Sequence, residues 1–160
     1  MNSYGYRQHK GAQDESMRVS IEKAKLKHAS SIFRIDQRQI GSFTRRRFIE
    51  RAIRRGQCFL ARTGDRIVGF AVVDQTFYEQ SFIWLLIVDP DYRRLGVASK
   101  LVHNIEKVAP TRKLFTSTNR SNVAMQQLMN KLNFAKSGRI ENLDKHDPEI
   151  LYFKRIRKRC

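Results

Sequence analysis

The run Phe82-Ile-Trp-Leu-Leu-Ile-Val88 is unbroken apolar sequence, and it leads directly into Asp89-Pro90 and a turn carrying Arg93, Arg94 and Gly96. Such a run predicts a strand covered on both faces, with Trp84 in the core. Pro90 ends the strand, because proline has no N–H to give to a ladder. From Gly96 to Val108 the residues Val97, Ala98, Leu101, Val102, Ile105 and Val108 recur at helical spacing. A buried strand, a tight turn and an amphipathic helix in direct succession commit the chain to a sheet with helices packed on it.

That junction is also where chemistry is expected. The first turn of a helix carries N–H groups without intrahelical partners, and the helix dipole adds positive charge there. Together they suit a phosphate. Gly96 lets backbone approach a ligand, Ala98 is small, and Arg93 and Arg94 add charge-assisted donors. By themselves these residue types are common, and they fit a plain helix start equally well. The chain lacks the Gly-Lys-Ser/Thr of a P-loop, so nucleotide hydrolysis has no support.

The rest of the chain builds around this unit. Arg18–Lys25 alternates as a half-buried strand. His28–Asp36 and Ser42–Arg55 read as helices, the second with Phe48, Ile49, Ala52 and Ile53 near one face and Gly56 as a stop. Cys58–Arg62 and Ile67–Val73 form a hairpin around Thr63, Gly64 and Asp65. Lys113–Ser117 is a short strand. Asn122–Leu132 is a helix with Ala124, Leu128 and Leu132 in register. Lys136–Glu141 and Ile150–Arg155 are the last strands, and the polar loop 142–149 between them gives no chemical signal. The order β-α-α-β-β-β-α-β-α-β-β means α+β or mixed α/β with one central sheet.

Composition narrows the class. The chain has 160 residues, enough for one domain, with 41% hydrophobic residues to fill a core. Its first 16 residues are polar and aperiodic and read as a flexible leader, with Met17 an alternative start. Residues 17–160 read as a single domain with a basic C-terminal tail, Lys154, Arg155, Arg157, Lys158 and Arg159. No apolar run approaches the roughly 20 residues of a membrane span. Two cysteines, one of them the last residue, make no disulfide framework, and the expected address is cytoplasmic. The formal charge of +17 either marks a polyanionic partner or is a solvated surface.

A downstream segment completes a pattern. Val88-Asp89-Pro90, Arg93-x-x-Gly96-x-Ala98, Asn122 and Phe134 follow one another in the order and spacing of the GNAT superfamily of acyl-CoA-dependent N-acetyltransferases, which the chain resembles from about Arg18 to Arg155. The resemblance implies a mostly antiparallel central sheet flanked by helices, with the strands Phe82–Val88 and Lys113–Ser117 splayed into a V. It implies acetyl-CoA as cosubstrate, pantetheine along Leu86, Ile87 and Val88, and pyrophosphate on the amides of Arg94, Leu95, Gly96, Val97, Ala98 and Ser99 beside Arg93. A strand amide would polarise the thioester carbonyl, and a primary amine would attack directly after losing a proton.

This sequence departs from the family where protons move. Met129 stands where many members have a tyrosine acid, and Ser117 where some have a glutamate base. Met125 replaces the alanine that the family has three residues after Asn122, and Asn133 the glycine before Phe134. Glu79 is then a candidate base or an exposed turn carboxylate. Tyr152 is a candidate acid or a strand aromatic. Asn122 either touches the cofactor or only caps its helix. His28, His103 and His146 have no metal-ligand spacing, and no metal is expected. Cys58, inside an apolar strand, reads as an inert thiol. The Arg-rich helix Ser42–Arg55 is a solvated face or an acceptor-side surface for an acidic or nucleic-acid-associated partner. Two functions follow: an acetyl-CoA-dependent N-acetyltransferase with an unidentified amine acceptor, or a CoA-binding or inactive GNAT-like module acting through its basic surface on nucleic acid or ribosome. A homodimer is left open.

Overall fold

The computed structural model describes residues 17–157. The expected leader 1–16 and the end of the basic tail lie outside them. The described chain forms one seven-stranded sheet with the elements in the expected order. β1 (Val19–Lys23) leads through a 3-10 turn at Leu26–His28 into α1 (Ala29–Ile40) and α2 (Arg46–Arg54). β2 (Cys58–Thr63), β3 (Arg66–Phe77) and β4 (Gln80–Val88) form an antiparallel meander. α3 (Val97–Val108), β5 (Lys113–Asn119), α4 (Val123–Lys131), β6 (Ala135–Ile140) and β7 (Glu149–Arg155) follow. The sheet order is β1-β2-β3-β4-β5-β7-β6, and β4–β5 is its parallel pair.

Two cores sandwich the first half of the sheet. On one face α3 and α4 bury Val97, Leu101, Ile105 and Met129 against Phe59, Ala71, Ile83, Leu114 and Tyr152. On the other, α1 and α2 bury Ile32, Phe33, Ile49 and Ile53 against Cys58, Leu60, Phe70 and Leu85.

Element ends differ from the sequence reading for local reasons. α1 runs on to Ile40, where Gly41 closes it in the left-handed conformation. α2 starts only at Arg46, and Phe48 lies outside its buried face, which is Ile49, Ala52 and Ile53. On α4 the expected register of Ala124 with Leu128 and Leu132 is corrected. Ala124 is exposed, whereas Leu132 is buried and Leu128 packs on the core as expected, together with the fully buried Met129 and with Met125. The loop 142–148 is bolted to the β5–α4 connection: Asp147 accepts from Ser121 N at 2.9 Å and Ser121 Oγ at 2.6 Å, and Asn119 Nδ2 donates to Asp144 at 2.8 Å. Those bonds hold the Asp147 carboxyl below its usual range, the Ser121 side chain foremost.

Candidate active site

β4 and β5 pair only at Ser81–Leu114, Phe82–Phe115 and Ile83–Thr116. Beyond Ile83 the two strands part, and the β5-facing edge of β4 has no strand partner up to Val88. Thr116 Oγ1 donates to Ile83 O at 3.0 Å at the last paired position. The expected V-shaped opening is therefore present.

A β-bulge lies at that point. β3 pairs Val72 with Leu85 and Val73 with Ile83, leaving Trp84 unmatched. Side-chain alternation slips there: Ile83 packs in the α3 core, Leu85 in the α1–α2 core, and Leu86 again against the α3 core. A bulge bends and twists its strand, and β4 leaves β5 at this residue. Trp84 is consequently 42% exposed rather than part of the core, which corrects the expectation drawn from the apolar run. Its Nε1 donates to Asp74 Oδ1 at 2.7 Å.

At the open end, β4 continues through Asp89 and a 3-10 turn (Pro90–Tyr92) to the start of α3. Asp89 is buried and accepts from Asp91 N at 3.0 Å. Arg38 of α1 bridges to Asp89 at 2.7 Å and to Asp91 at 3.3 Å, fixing the turn against α1. Arg94 and Gly96 both have positive φ, +61° and +78°. Gly96 is the N-cap of α3, which no side chain caps and whose first turn holds no acidic residue. A Cβ on Gly96 would meet no protein atom within 4 Å. The amides of Val97, Ala98 and Ser99 thus lie in the first turn of a helix that no side chain caps, at its positive end, the arrangement an anion needs. Arg93 is tethered to Gln39 of α1, and Arg94 is exposed and makes no hydrogen bond or ion pair among the described residues. These features fit a diphosphate next to an extended chain lying along β4.

The other expected residues divide. Asn122 caps α4, its side-chain oxygen accepting from Met125 N at 3.1 Å, so only its amide NH2 is free to reach a ligand. Tyr152 is paired with Thr116 across β5–β7, on the α3–α4 face, one strand from the last β4–β5 bridge. It is fully buried, and its hydroxyl has no hydrogen-bond partner among the described residues. Burial pushes its phenol up, so it stays protonated at neutral pH. The expectation that Glu79 stands near the cleft is not met. Tyr78 and Glu79 form the exposed turn of the β3–β4 hairpin, at the closed end of the β4–β5 pair. At about 3.3 Å per strand residue, the five steps to Trp84 put it roughly 17 Å from the bulge.

Among the described residues, cavities lie at the far end of α3 and beside the bulge. One, of about 1000 Å³, sits at the C-terminal end of α3 against the end of β7, lined by His103, Glu106, Lys154 and Arg155 among others. It lies about 18 Å along α3 from the N-terminal turn. The other, of about 260 Å³, borders the bulge and is lined by Phe48, Arg51 and Arg55 of α2, Asp74 and Thr76 of β3, and Trp84. Cys58 is buried with its thiol pushed up to about 12 and is no nucleophile. Among the described residues no group of His, Cys, Asp and Glu could hold a metal ion, and no helix is long and apolar enough to cross a membrane.

The Arg-rich helix also divides. Arg45 pairs with the buried Asp36 at 2.5 Å, Arg54 with Glu50 at 2.8 Å, and Arg46 lies over the rings of Phe33 and Phe43. Half of its cations are thus used within the protein.

Known proteins share this fold. The sequence pattern of the acetyltransferase (GNAT) family matches residues 24–134. An acetyltransferase of the GNAT family from Bacillus cereus is 38% identical, over 88% of this chain and 99% of that one, with a TM-score of 0.85. Ard1 from Thermoplasma volcanium shares the fold at 18% identity and a TM-score of 0.79, over 88% of this chain and 99% of that one. A Bacillus anthracis structure described as a streptothricin acetyltransferase in complex with acetyl coenzyme A is 22% identical, over 62% of this chain and 61% of that one, with a TM-score of 0.58. No curated protein matches the chain.

Proposed function

The chain belongs to the GNAT acetyltransferase family, and from that premise we propose that it transfers the acetyl group of acetyl-CoA to a primary amine by direct attack. The observation that carries the reading is the unpaired β5-facing edge of β4 running into the uncapped, glycine-led N-terminus of α3. Acetyl-CoA, the cosubstrate of this family, supplies an acetyl group activated as a thioester. The backbone of Leu86, Ile87 and Val88 holds the pantetheine in extended form. The amides from Arg94 to Ser99 hold the pyrophosphate, with Arg93 adding charge and the Asn122 amide NH2 a further donor. A backbone N–H of the bulged segment after Ile83 polarises the reacting carbonyl. Tyr152, protonated and without a partner, gives its proton to the departing thiolate in place of the tyrosine that Met129 replaces. The acceptor amine loses its proton to water in the opening.

Two readouts test this. Acetyl-CoA is expected to raise the melting temperature, and Gly96→Glu to weaken binding by roughly 100-fold or more, because a non-glycine residue at positive φ is strained and a carboxylate repels the diphosphate. Release of CoA thiol with an amine panel tests turnover. Binding without release with any amine would favour the CoA-binding module, and no thermal shift at saturating acetyl-CoA would refute both.

A further inference from the structure

The cavity beside the bulge has a chemistry that acetyl transfer alone does not require. Asp74 is half-buried at its wall, and its Oδ1 accepts three hydrogen bonds: from Trp84 Nε1 at 2.7 Å, Thr76 Oγ1 at 2.8 Å and Thr76 N at 3.0 Å. Its Oδ2 accepts none among the described residues. Arg51 and Arg55 line the same cavity, are exposed, and pair with no group among the described residues, Asp74 included. Neutral donors therefore fix the carboxylate while one oxygen and both guanidiniums stay available. Phe48 and Trp84 add apolar walls. Trp84 is also the residue at which β4 leaves β5, so the cavity adjoins the place where the thioester would react.

We propose that this cavity receives the acceptor, and that the acceptor is an amine bearing an acidic group on the same small skeleton. Asp74 Oδ2 takes the ammonium, the charge-assisted bond that a free carboxylate oxygen offers. Arg51 and Arg55 take the acidic group, a carboxylate or a phosphate, both of which match a guanidinium fork. Phe48 and Trp84 cover the carbon skeleton. A cavity of about 260 Å³ suits a body of amino-acid size. The inference rests on the acetyl-transfer reading.

The test compares amines in pairs, with CoA thiol release as the readout: 2-phenylethylamine against phenylalanine, and ethanolamine against O-phosphoethanolamine. The acid-bearing member of at least one pair is expected to be preferred by about tenfold or more in kcat/KM, the worth of one charged hydrogen bond. Which pair shows it distinguishes carboxylate from phosphate. The Arg51→Gln/Arg55→Gln variant is expected to bring that ratio near one through KM. Asp74→Asn, which keeps an oxygen for Trp84 and Thr76, is expected to raise KM for both members. Equal or better use of the acid-free amines, or a preference that survives Arg51→Gln/Arg55→Gln, overturns the proposal. So does a lack of turnover of all four amines by protein that still binds acetyl-CoA in a thermal shift. Loss of the acetyl-CoA shift itself would bring down the acetyl-transfer reading first.

Discussion

The two halves of the sheet, β1–β4 and β5–β7–β6, are built to different standards of coverage. Strands β2 to β4 lie between α3 on one face and α1 with α2 on the other, and Leu60, Ala61, Phe70 and Ala71 are fully buried. Strands β5 and β7 are covered on one face, where Leu114 and Tyr152 are fully buried. On the other face Phe115 and Phe153 are only half-buried, their ring centroids 5.2 Å apart, and β6 is exposed throughout. The opening lies between a half clamped from both sides and a half clamped from one. The first half fixes where backbone donors point and, through α2, β3 and Trp84, lines the cavity at the bulge; the second brings Tyr152 up to the gap from the opposite face. Substitutions in the doubly covered core of the first half should therefore register in stability, and that of Tyr152 in the second in turnover.

The largest departure is expected from Tyr152→Phe. Removing a buried hydroxyl that has no partner leaves stability unchanged or slightly raised. Removing the proton donor lowers kcat by about 100-fold. A kcat equal to that of the parent would make Tyr152 a packing residue and erase the functional side of the contrast.

Gly69→Ala probes the other half. A Cβ there would stand 2.9 Å from Ile87 O and 3.2 Å from Val97 Cγ1, between β4 and the first residue of α3. Overpacking of this kind costs about 1–3 kcal/mol, readable as a lowered denaturation midpoint. An unchanged midpoint would mean that the covered half yields more easily than its packing implies.

The smallest effect concerns His28, buried where the chain passes from β1 to α1. Its Nδ1 accepts from Lys25 N at 3.1 Å and therefore carries no proton. Burial first, then the positive charges of Arg62, Lys27 and Lys25, hold its pKa below 6.5, against the opposing pull of Glu22. The unfolded chain takes up the proton more readily than the folded one. Stability is then fully present above 6.5 and declines as pH falls below it toward the folded-state value. His28→Asn should flatten that decline in thermal melts. An equally steep decline in the variant would assign it to carboxylates.

How legible each part was follows from the same contrast. The turn after β4 is encoded within a few residues: Pro90 stops the strand, Gly96 takes positive φ, and small or apolar residues open α3. The bulge is not encoded locally. Trp84 sits in an apolar run and reads as core, and only the register between β3 and β4 shows that the ladder skips it and that it turns to the surface. The place of Glu79 was hidden for a related reason, since its distance from the gap depends on which end of β4 pairs with β5. On α4, Ala124 and Met129 both fit a helical stripe, and the sheet beneath selects Met129. The acceptor-side set of Asp74, Arg51 and Arg55 was missed because it joins a strand to a helix and has no spacing of its own. The six arginines around that helix were visible, but which of them are already paired was not.

The central claim is that acetyl-CoA lies in the β4–β5 opening with its diphosphate on the start of α3. Amide hydrogen exchange with and without acetyl-CoA tests it directly. Slowed exchange concentrated at Leu85–Val88 and Arg94–Ser99 is predicted. Unchanged exchange at both segments, with protection appearing instead around His103 and Arg155 at the far end of α3, would contradict it.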